Sequence, residues 1–138
     1  MISDGLLLDT CTIIFITKNS GISKLTAGQI DEASNGGKLF LSPISSWEIG
    51  RGISARRLSI AGDPLQFFMD FLEGSSAKLC DMGPNTLVRS SFLPGNIHKD
   101  PFDRILIETA RQNNLTLVTS DRAILAYGAT GHVKTLAC

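Results

Sequence analysis

The stretch LLLD at residues 6–9 decides the fold class of this chain. Its leucines form a continuous apolar run without polar alternation, which is typical of a strand buried on both faces of a parallel sheet. The run ends at Asp9, and the segment TCTIIFI then continues without a turn signal until KNSG at residues 18–21. We therefore expect a buried strand, a tight turn at the aspartate and a short helix.

Strand and helix signals alternate along the rest of the chain. The segments KLFLS at residues 38–42 and LTLVTSD at residues 115–121 each predict a further strand, and AKLCD and HVKTL are shorter candidates. A capping residue followed by proline marks helix starts at Ser42–Pro43, Asp63–Pro64 and Asp100–Pro101. The alternation predicts one α/β domain over residues 1–138, with three α/β/α layers around a mainly parallel sheet of about five strands.

The overall composition gives little indication of a partner. Thirteen basic and thirteen acidic residues cancel, so an anionic partner would be bound by a local basic patch or through a bound cation. The three cysteines form no CxxC pair, which argues against disulfides or structural zinc and fits a reducing cytoplasm. The apolar start is interrupted by Asp9 and is shorter than the ~20 residues of a membrane span, so we expect no membrane segment.

Four acidic side chains are expected to meet at one edge of the sheet. Asp9 and Asp121 each follow a predicted strand, and the loops after parallel strands converge on a common crevice. Glu48 shares a helix face with apolar residues, and Asp103 lies at the edge of the apolar stripe of the helix that begins at Pro101. A carboxylate in such a position is costly unless it is paired, protonated or bound to a metal.

Each acid also has a structural interpretation when it is considered alone. The alternatives are a helix cap for Asp100 and Asp121, a helix-dipole contact for Asp103, and an ion pair with Arg51 or Arg104 for Glu48. Asp9 is the exception, because it has no equally clear capping role. Taken together, converging carboxylates repel one another unless a cation neutralises them, and an oxygen-rich site suits Mg²⁺ or Mn²⁺. Such ions can promote hydrolysis of a phosphodiester.

The motifs LLLDT, SSWEIG, HKDPFDRILIETA and LVTSD, in this order, resemble those of PIN-domain ribonucleases, most closely the toxin of a VapBC toxin–antitoxin pair. The resemblance covers the chain from Leu6 to the last predicted strand. It implies a single PIN domain that is a metal-dependent endoribonuclease, with RNA as substrate. It also implies a cognate antitoxin as partner and a homodimer as assembly.

The resemblance also implies roles for individual residues. Asp9, Asp103 and Asp121 would hold one or two Mg²⁺ or Mn²⁺ ions directly or through water, and Glu48 would help bind the metal or accept a proton from the attacking water. Four further residues are expected to support the site. His98 and Asp100 match the HxDPFDR form of one branch of the family, and Thr10 and Thr119 are hydroxyl residues of the kind that line such sites. Arg51 and Arg104 are candidates for contacts with RNA.

In the family, the region around Trp47 and the helix LQFFMDFL forms the groove for the antitoxin. Core packing is the alternative for the same side chains. On a helix, Leu65, Phe68, Met69 and Leu72 are expected to share one face, whereas Phe67, Phe68 and Phe71 are not expected to point to one side.

Two other functions remain open on the sequence. A phosphatase of the haloacid-dehalogenase type also begins with a strand that ends in aspartate, but it needs a second acid two residues later, where this chain has Cys11. A catalytically inactive PIN domain that binds RNA or a partner is the other alternative, and the complete set of acids argues against it. Nucleotide-binding glycine motifs, GxGxxG and GxxxxGK[ST], do not occur in the sequence.

Overall fold

The computed structural model describes residues 3–138, and these residues form a five-stranded sheet with helices packed on both of its faces. The strands are β1 (Leu6–Leu8), β2 (Leu39–Leu41), β3 (Lys78–Leu79), β4 (Thr116–Thr119) and β5 (Lys134–Ala137). The helices are α1 (Thr10–Thr17), α2 (Lys24–Asn35), α3 (Pro43–Ser54), α4 (Pro64–Gly74), α5 (Pro84–Arg89), α6 (Pro101–Asn113) and α7 (Arg122–Ala129). A single 3₁₀ turn (Ser90–Phe92) follows α5.

The strand order is β3-β2-β1-β4-β5, and every pair of neighbouring strands is parallel. This confirms the predicted α/β/α sandwich, with a sheet that is wholly rather than mainly parallel. The short first strand lies at the centre, between β2 and β4, which explains why its leucines carry no polar alternation. The residues after β1 and β4 therefore lie side by side at the carboxyl edge of the sheet.

The two faces of the sheet are covered by separate apolar clusters. Leu7 of β1 packs on one face with residues of α6 and α7, and Leu8 packs on the other face with residues of α1, α2 and α4. Both leucines are fully buried. Helix α3 packs against both clusters: Ile44 belongs to the first cluster and Ile49 to the second. This double packing fixes the orientation of α3, which carries Glu48.

The inward face of α4 differs from the sequence prediction. Leu65 and Met69 are exposed, whereas Phe67, Phe68 and Phe71 all pack against the cluster on the second face of the sheet. The helical repeat allows two apolar faces on α4, one with Leu65 and Met69 and the other with Phe67 and Phe71, and Phe68 and Leu72 fit either face. The observed orientation packs all three phenylalanines against the cluster, and aromatic side chains contribute large buried areas. The prediction that the three phenylalanines point to different sides is therefore wrong.

No helix among residues 3–138 is both long enough and apolar enough to span a membrane.

Candidate active site

The carboxyl ends of the two central strands bring the first and last acids of the set together. Leu8 is paired with Val118, and the backbone N–H of Asp9 donates to the Val118 carbonyl at 3.1 Å. One residue further along β4, the hydroxyl of Thr119 accepts the backbone N–H of Asp121 at 3.0 Å. The predicted convergence of Asp9 and Asp121 at this edge therefore follows from strand pairing.

Asp9 is almost completely buried, with 5% of its surface exposed. Its Oδ1 accepts hydrogen bonds from the backbone N–H and the hydroxyl of Thr12, both at 2.7 Å, and its Oδ2 accepts the hydroxyl of Thr119 at 2.5 Å. The bond from the Thr12 N–H makes Asp9 the N-cap of α1. The sequence interpretation that Asp9 lacks a clear capping role is thus wrong, because the leucine run hides a helix start that follows the strand directly.

Burial raises the pKa of Asp9, and the hydrogen bonds from Thr119 and Thr12 oppose this rise because they favour the charged carboxylate. The charge of Asp121 adds to the rise. An ionised Asp9 therefore depends on its hydroxyl partners and on any nearby positive charge.

Glu48 faces α1 from the middle of α3. The Thr10 hydroxyl donates to its Oε1 at 2.5 Å, and the hydroxyl of Ser45 lies 3.0 Å from the Thr10 oxygen. Burial raises the pKa of Glu48, Thr10 opposes the rise, and the charges of Asp100 and Asp9 add to it. Ser45 has no signal in the sequence, because its role depends on the approach of α1 to α3.

The ion pair that was considered for Glu48 is not formed. Within residues 3–138 the ion pairs are His98–Asp103, His98–Asp121 and Arg111–Glu108. The guanidinium of Arg104 instead donates to the carbonyls of Ser90, Ile97 and His98, so it holds the segment before α6 in place. The guanidinium of Arg51 lies over the ring of Trp47, 5.9 Å from its centroid.

Helix α6 begins as the sequence predicts. Asp100 is its N-cap and accepts the backbone N–H of Phe102 at 2.9 Å and that of Asp103 at 3.5 Å. Pro101 occupies the first turn, where its missing N–H is not needed. The Asp100 side chain is exposed, whereas Asp103 is turned inward and is 16% exposed.

His98, Asp103 and Asp121 form the tightest group of potential metal ligands. One ligand atom from each lies within 4.8 Å of the others. The Nε2 of His98 is 3.3 Å from Oδ2 of Asp103 and 3.8 Å from Oδ1 of Asp121. The Nδ1 of His98 accepts the backbone N–H of Asp100 at 3.3 Å, so in the neutral ring the proton is on Nε2 and points toward the carboxylates.

Among the acids of the site, the Asp103 carboxyl group has the most strongly raised pKa. Burial raises its pKa to about 7, and the charges of Asp100, Asp121, Glu48 and Asp9 contribute in that order. These contributions place all the predicted acids in one electrostatic group. Asp9 and Glu48 lie outside the tight group with His98, but they act on it through their charge.

Asp121 is the N-cap of α7, since its Oδ1 accepts the backbone N–H of Ile124 at 3.0 Å. The side chain is 40% exposed and is the most accessible acid of the tight group. The predicted cap is therefore confirmed, and Asp121 caps α7 while it also lies beside His98 and Asp103.

A cleft of about 370 Å³ opens beside these acids. Its lining includes the acids Glu48 and Asp100, the hydroxyl residue Thr10 and the arginines Arg51 and Arg57. Cys11 also lines the cleft, and burial and the neighbouring acids raise its thiol pKa to about 11. A thiol with this pKa is a poor nucleophile at neutral pH.

Solved structures with the same fold are VapBC and FitAcB complexes. VapBC2 from Rickettsia felis bound to a DNA fragment from their promoter gives a TM-score of 0.69 at 16% identity, covering 96% of this chain and 97% of that chain. DNA-bound VapBC from Salmonella typhimurium gives 0.66 at 18% identity, covering 96% and 97%. FitAcB from Neisseria gonorrhoeae gives 0.58 at 19% identity, covering 95% and 96%. At these identities the likeness concerns the fold.

No curated protein matches the sequence significantly. The sequence profile of the PIN domain matches residues 6–129, a span that contains Asp9, Glu48, Asp103 and Asp121. The match covers most of the chain, and the parallel sheet with acids at its carboxyl edge agrees with it. The chain therefore belongs to the PIN domain family.

Proposed function

We propose that the chain, as a single domain, is an endoribonuclease of the VapC type, which hydrolyses RNA phosphodiester bonds with Mg²⁺ or Mn²⁺ and is silenced by an antitoxin. PIN domains are generally nucleases that depend on divalent metal ions. The observation that carries the proposal is the electrostatic grouping of Asp9, Glu48, Asp103 and Asp121 at the carboxyl edge of the sheet. The family match leaves no support for the haloacid-dehalogenase alternative.

The donor atoms fit a hard divalent cation. Several carboxylates approach one another, and among residues 3–138 no lysine or arginine forms an ion pair with them. Burial and then the neighbouring carboxylates raise the pKa of Asp103. Asp103 and Asp121 would bind the ion most directly, and Asp9 would bind it through Oδ2 or through water. His98 would act as a donor to Asp103 rather than as a ligand, because its Nε2 bears the proton.

A bound Mg²⁺ or Mn²⁺ would neutralise the phosphodiester oxygens and lower the pKa of the attacking water. Glu48 would accept a proton from that water. The Thr10 hydroxyl fills one acceptor position on Oε1, so Oε2, which accepts no hydrogen bond among the described residues, would be the proton acceptor. Thr119 would hold Asp9 in its orientation through the bond to Oδ2. Water is the nucleophile in this scheme, so no covalent intermediate forms with the protein.

The RNA strand would follow the cleft beside the acids. Arg51 lines the cleft and is an exposed residue, so it is a better candidate than Arg104 for a phosphate contact. Arg104 donates to three backbone carbonyls, which favours a structural role for it. Arg57 lines the same cleft and joins Arg51 as a candidate.

An antitoxin is the proposed partner, since the structures that share the fold are VapBC and FitAcB complexes. Apolar side chains remain exposed on the helices where the groove was expected: Trp47 on α3 is 57% exposed, and Leu65 and Met69 on α4 are also exposed. Large exposed side chains of this kind are common in protein interfaces. A homodimer and a cytoplasmic location complete the proposal. The free thiols of Cys11, Cys80 and Cys138 agree with a reducing compartment.

The test is an RNA cleavage assay with purified protein, using structured and unstructured RNA. Cleavage is expected with Mg²⁺ or Mn²⁺ and is expected to stop with a chelator and in the Asp9→Asn variant. Cleavage that persists both with chelator and in this variant would rule out a metal-dependent nuclease. Binding of RNA without cleavage by any ion would instead favour an inactive binding domain.

A further inference from the structure

Thr12 is a fully buried residue in the first turn of α1, and its hydroxyl lies beneath the first acid of the site. The hydroxyl oxygen is 2.7 Å from Oδ1 of Asp9, 3.0 Å from the carbonyl of Val118 and 3.1 Å from the sulfur of Cys138. A threonine hydroxyl has one proton, so only one of these groups can accept it.

The carboxylate is the acceptor of that proton. A hydrogen bond to a charged oxygen is stronger than one to a neutral carbonyl, and the contact with Asp9 is also the shorter one. The carbonyl of Val118 already accepts the backbone N–H of Asp9 at 3.1 Å. The thiol of Cys138 can then donate to the Thr12 oxygen, which gives every group in this buried contact a partner.

The hydrogen bonds at Asp9 leave little of its carboxylate free. A carboxylate offers about four acceptor positions, two on each oxygen. The N–H and the hydroxyl of Thr12 occupy both positions on Oδ1, and the hydroxyl of Thr119 occupies one on Oδ2. One position on Oδ2 remains, so Asp9 has a single place at which a cation, or a water bound to it, can be held.

We propose that Thr12 is a positioning residue for Asp9, whose hydroxyl locks the carboxylate so that the free position of Oδ2 is available to the cation. The N–H of Thr12 and the hydroxyl of Thr119 each fill one acceptor position, on Oδ1 and on Oδ2 respectively. The Thr12 hydroxyl fills the second position on Oδ1, so that only Oδ2 can hold the cation. The inference rests on the proposed metal-dependent function.

The experiment measures the binding of Mn²⁺ and of Mg²⁺ by titration calorimetry, without RNA, so that it does not depend on catalysis. Thr12→Val removes the hydroxyl and keeps the shape and the backbone cap, and Thr12→Ser restores the hydroxyl. Loss of a group that orients a metal ligand typically costs 10- to 100-fold in affinity. We expect a loss of about this size in the valine variant and an affinity close to that of the wild-type protein in the serine variant.

A matched control is Thr109→Val on α6. Thr109 is equally buried, but its hydroxyl donates to the carbonyl of Ile105, so the same substitution removes a buried hydroxyl outside the site. Its cation affinity is expected to remain that of the wild-type protein. In cleavage assays at saturating cation, Thr12→Val should lower kcat and leave KM for RNA unchanged, because the proposed arginine contacts with RNA are intact.

The outcomes separate this inference from the proposed function. A wild-type protein that binds neither cation contradicts the metal-dependent function itself. A wild-type protein that binds a cation, with equal binding by Thr12→Val, overturns the role of Thr12 alone. Circular dichroism checks the fold of each variant, and Thr12→Ala replaces the valine variant if valine prevents folding. Equal affinity in the alanine variant would overturn the inference in the same way.

Discussion

At the scale of single residues, Asp103 combines a poor environment for a charge with a central place in the site. Its side chain is 16% exposed, and burial and four neighbouring carboxylates raise its pKa to about 7. A carboxylate in this position destabilises the fold when it is ionised without a cation. A buried carboxylate that destabilises the fold is expected at a position where its charge is needed for function.

The first prediction concerns Asp103→Asn. The amide removes the charge that holds the cation, so RNA cleavage should fall by at least about 100-fold. In the presence of a chelator, the variant should be at least as stable as the wild-type protein, because a costly buried charge is gone. Urea denaturation and an RNA cleavage assay measure the two effects.

Asp31→Asn on the exposed face of α2 is the control for Asp103→Asn, and it should change neither cleavage nor stability. If the Asp103 variant cleaved RNA at the wild-type rate, this residue would be only part of an ordinary helix start.

The second prediction concerns His98→Ala. The proton on Nε2 points toward the carboxylate oxygens of Asp103 and Asp121. It therefore occupies the space between these oxygens, where the cation would bind. Removal of the ring should therefore raise the affinity for Mn²⁺ by about fivefold, the equivalent of one hydrogen bond of ~1 kcal/mol. Calorimetry without RNA measures this change. A fall in affinity would show that His98 is a ligand of the ion.

At the scale of elements, three helices begin at the site with an aspartate as N-cap. These are α1 at Asp9, α6 at Asp100 and α7 at Asp121. In Asp9 one oxygen caps the helix and the other keeps a free acceptor position. Capping and metal binding were alternatives in the sequence, but a carboxylate has enough acceptor positions for both. The helix dipoles also place partial positive charge near the acids.

The third prediction separates the role of Asp100 as a helix cap from the role of its negative charge. Asp100→Asn keeps an oxygen that can accept the N–H groups of the first turn, so the free energy of unfolding should change little. Asp100→Ala removes the cap and should cost about 1 kcal/mol. Urea denaturation compares the two variants.

Cleavage by Asp100→Asn should stay close to the wild-type rate, because Asp100 is exposed and, among residues 3–138, its carboxylate accepts only N–H groups of its own helix. A large loss of cleavage by a stable Asp100→Asn protein would show that its carboxylate also serves the reaction.

The alternation of strands and helices and the helix starts at Pro43, Pro64 and Pro101 could be predicted from the sequence, because each has a local signal. The proline after a capping residue marks α3, α4 and α6, and the leucine run marks the central strand. Thr12 and Ser45 could not be predicted. Their hydroxyls matter only because α1 packs beside β4 and α3, and such contacts between distant segments leave no local pattern.

At the scale of the whole molecule, a chain with no formal net charge concentrates negative charge at one edge of its sheet. The parallel topology requires this, since the acids follow strands or begin helices at the same edge. The cost of bringing these charges together must be offset by a cation or by protons. The stability of the fold should therefore depend on pH when metal is absent.

The fourth prediction is that, in chelator, the free energy of unfolding falls as pH rises from about 4 to about 7. The pKa of Asp103 is about 7 in the folded chain, against an ordinary value of 3.8, so the folded state binds more protons across this range. Stability then decreases with rising pH. Burial also raises the pKa of Asp9 and of Glu48, which adds to the slope in the same direction.

Saturating Mn²⁺ should reduce or reverse this slope, since the cation binds the ionised carboxylates of the folded state and not the unfolded chain. Asp103→Asn in chelator should show a flatter pH dependence than the wild-type protein, because it lacks the carboxyl group whose pKa is raised to about 7 in the folded chain. Urea denaturation at several pH values gives the three curves: wild-type protein in chelator, wild-type protein in Mn²⁺ and Asp103→Asn in chelator. Stability in chelator that rises over this range would contradict the crowding of unneutralised carboxylates at the edge of the sheet.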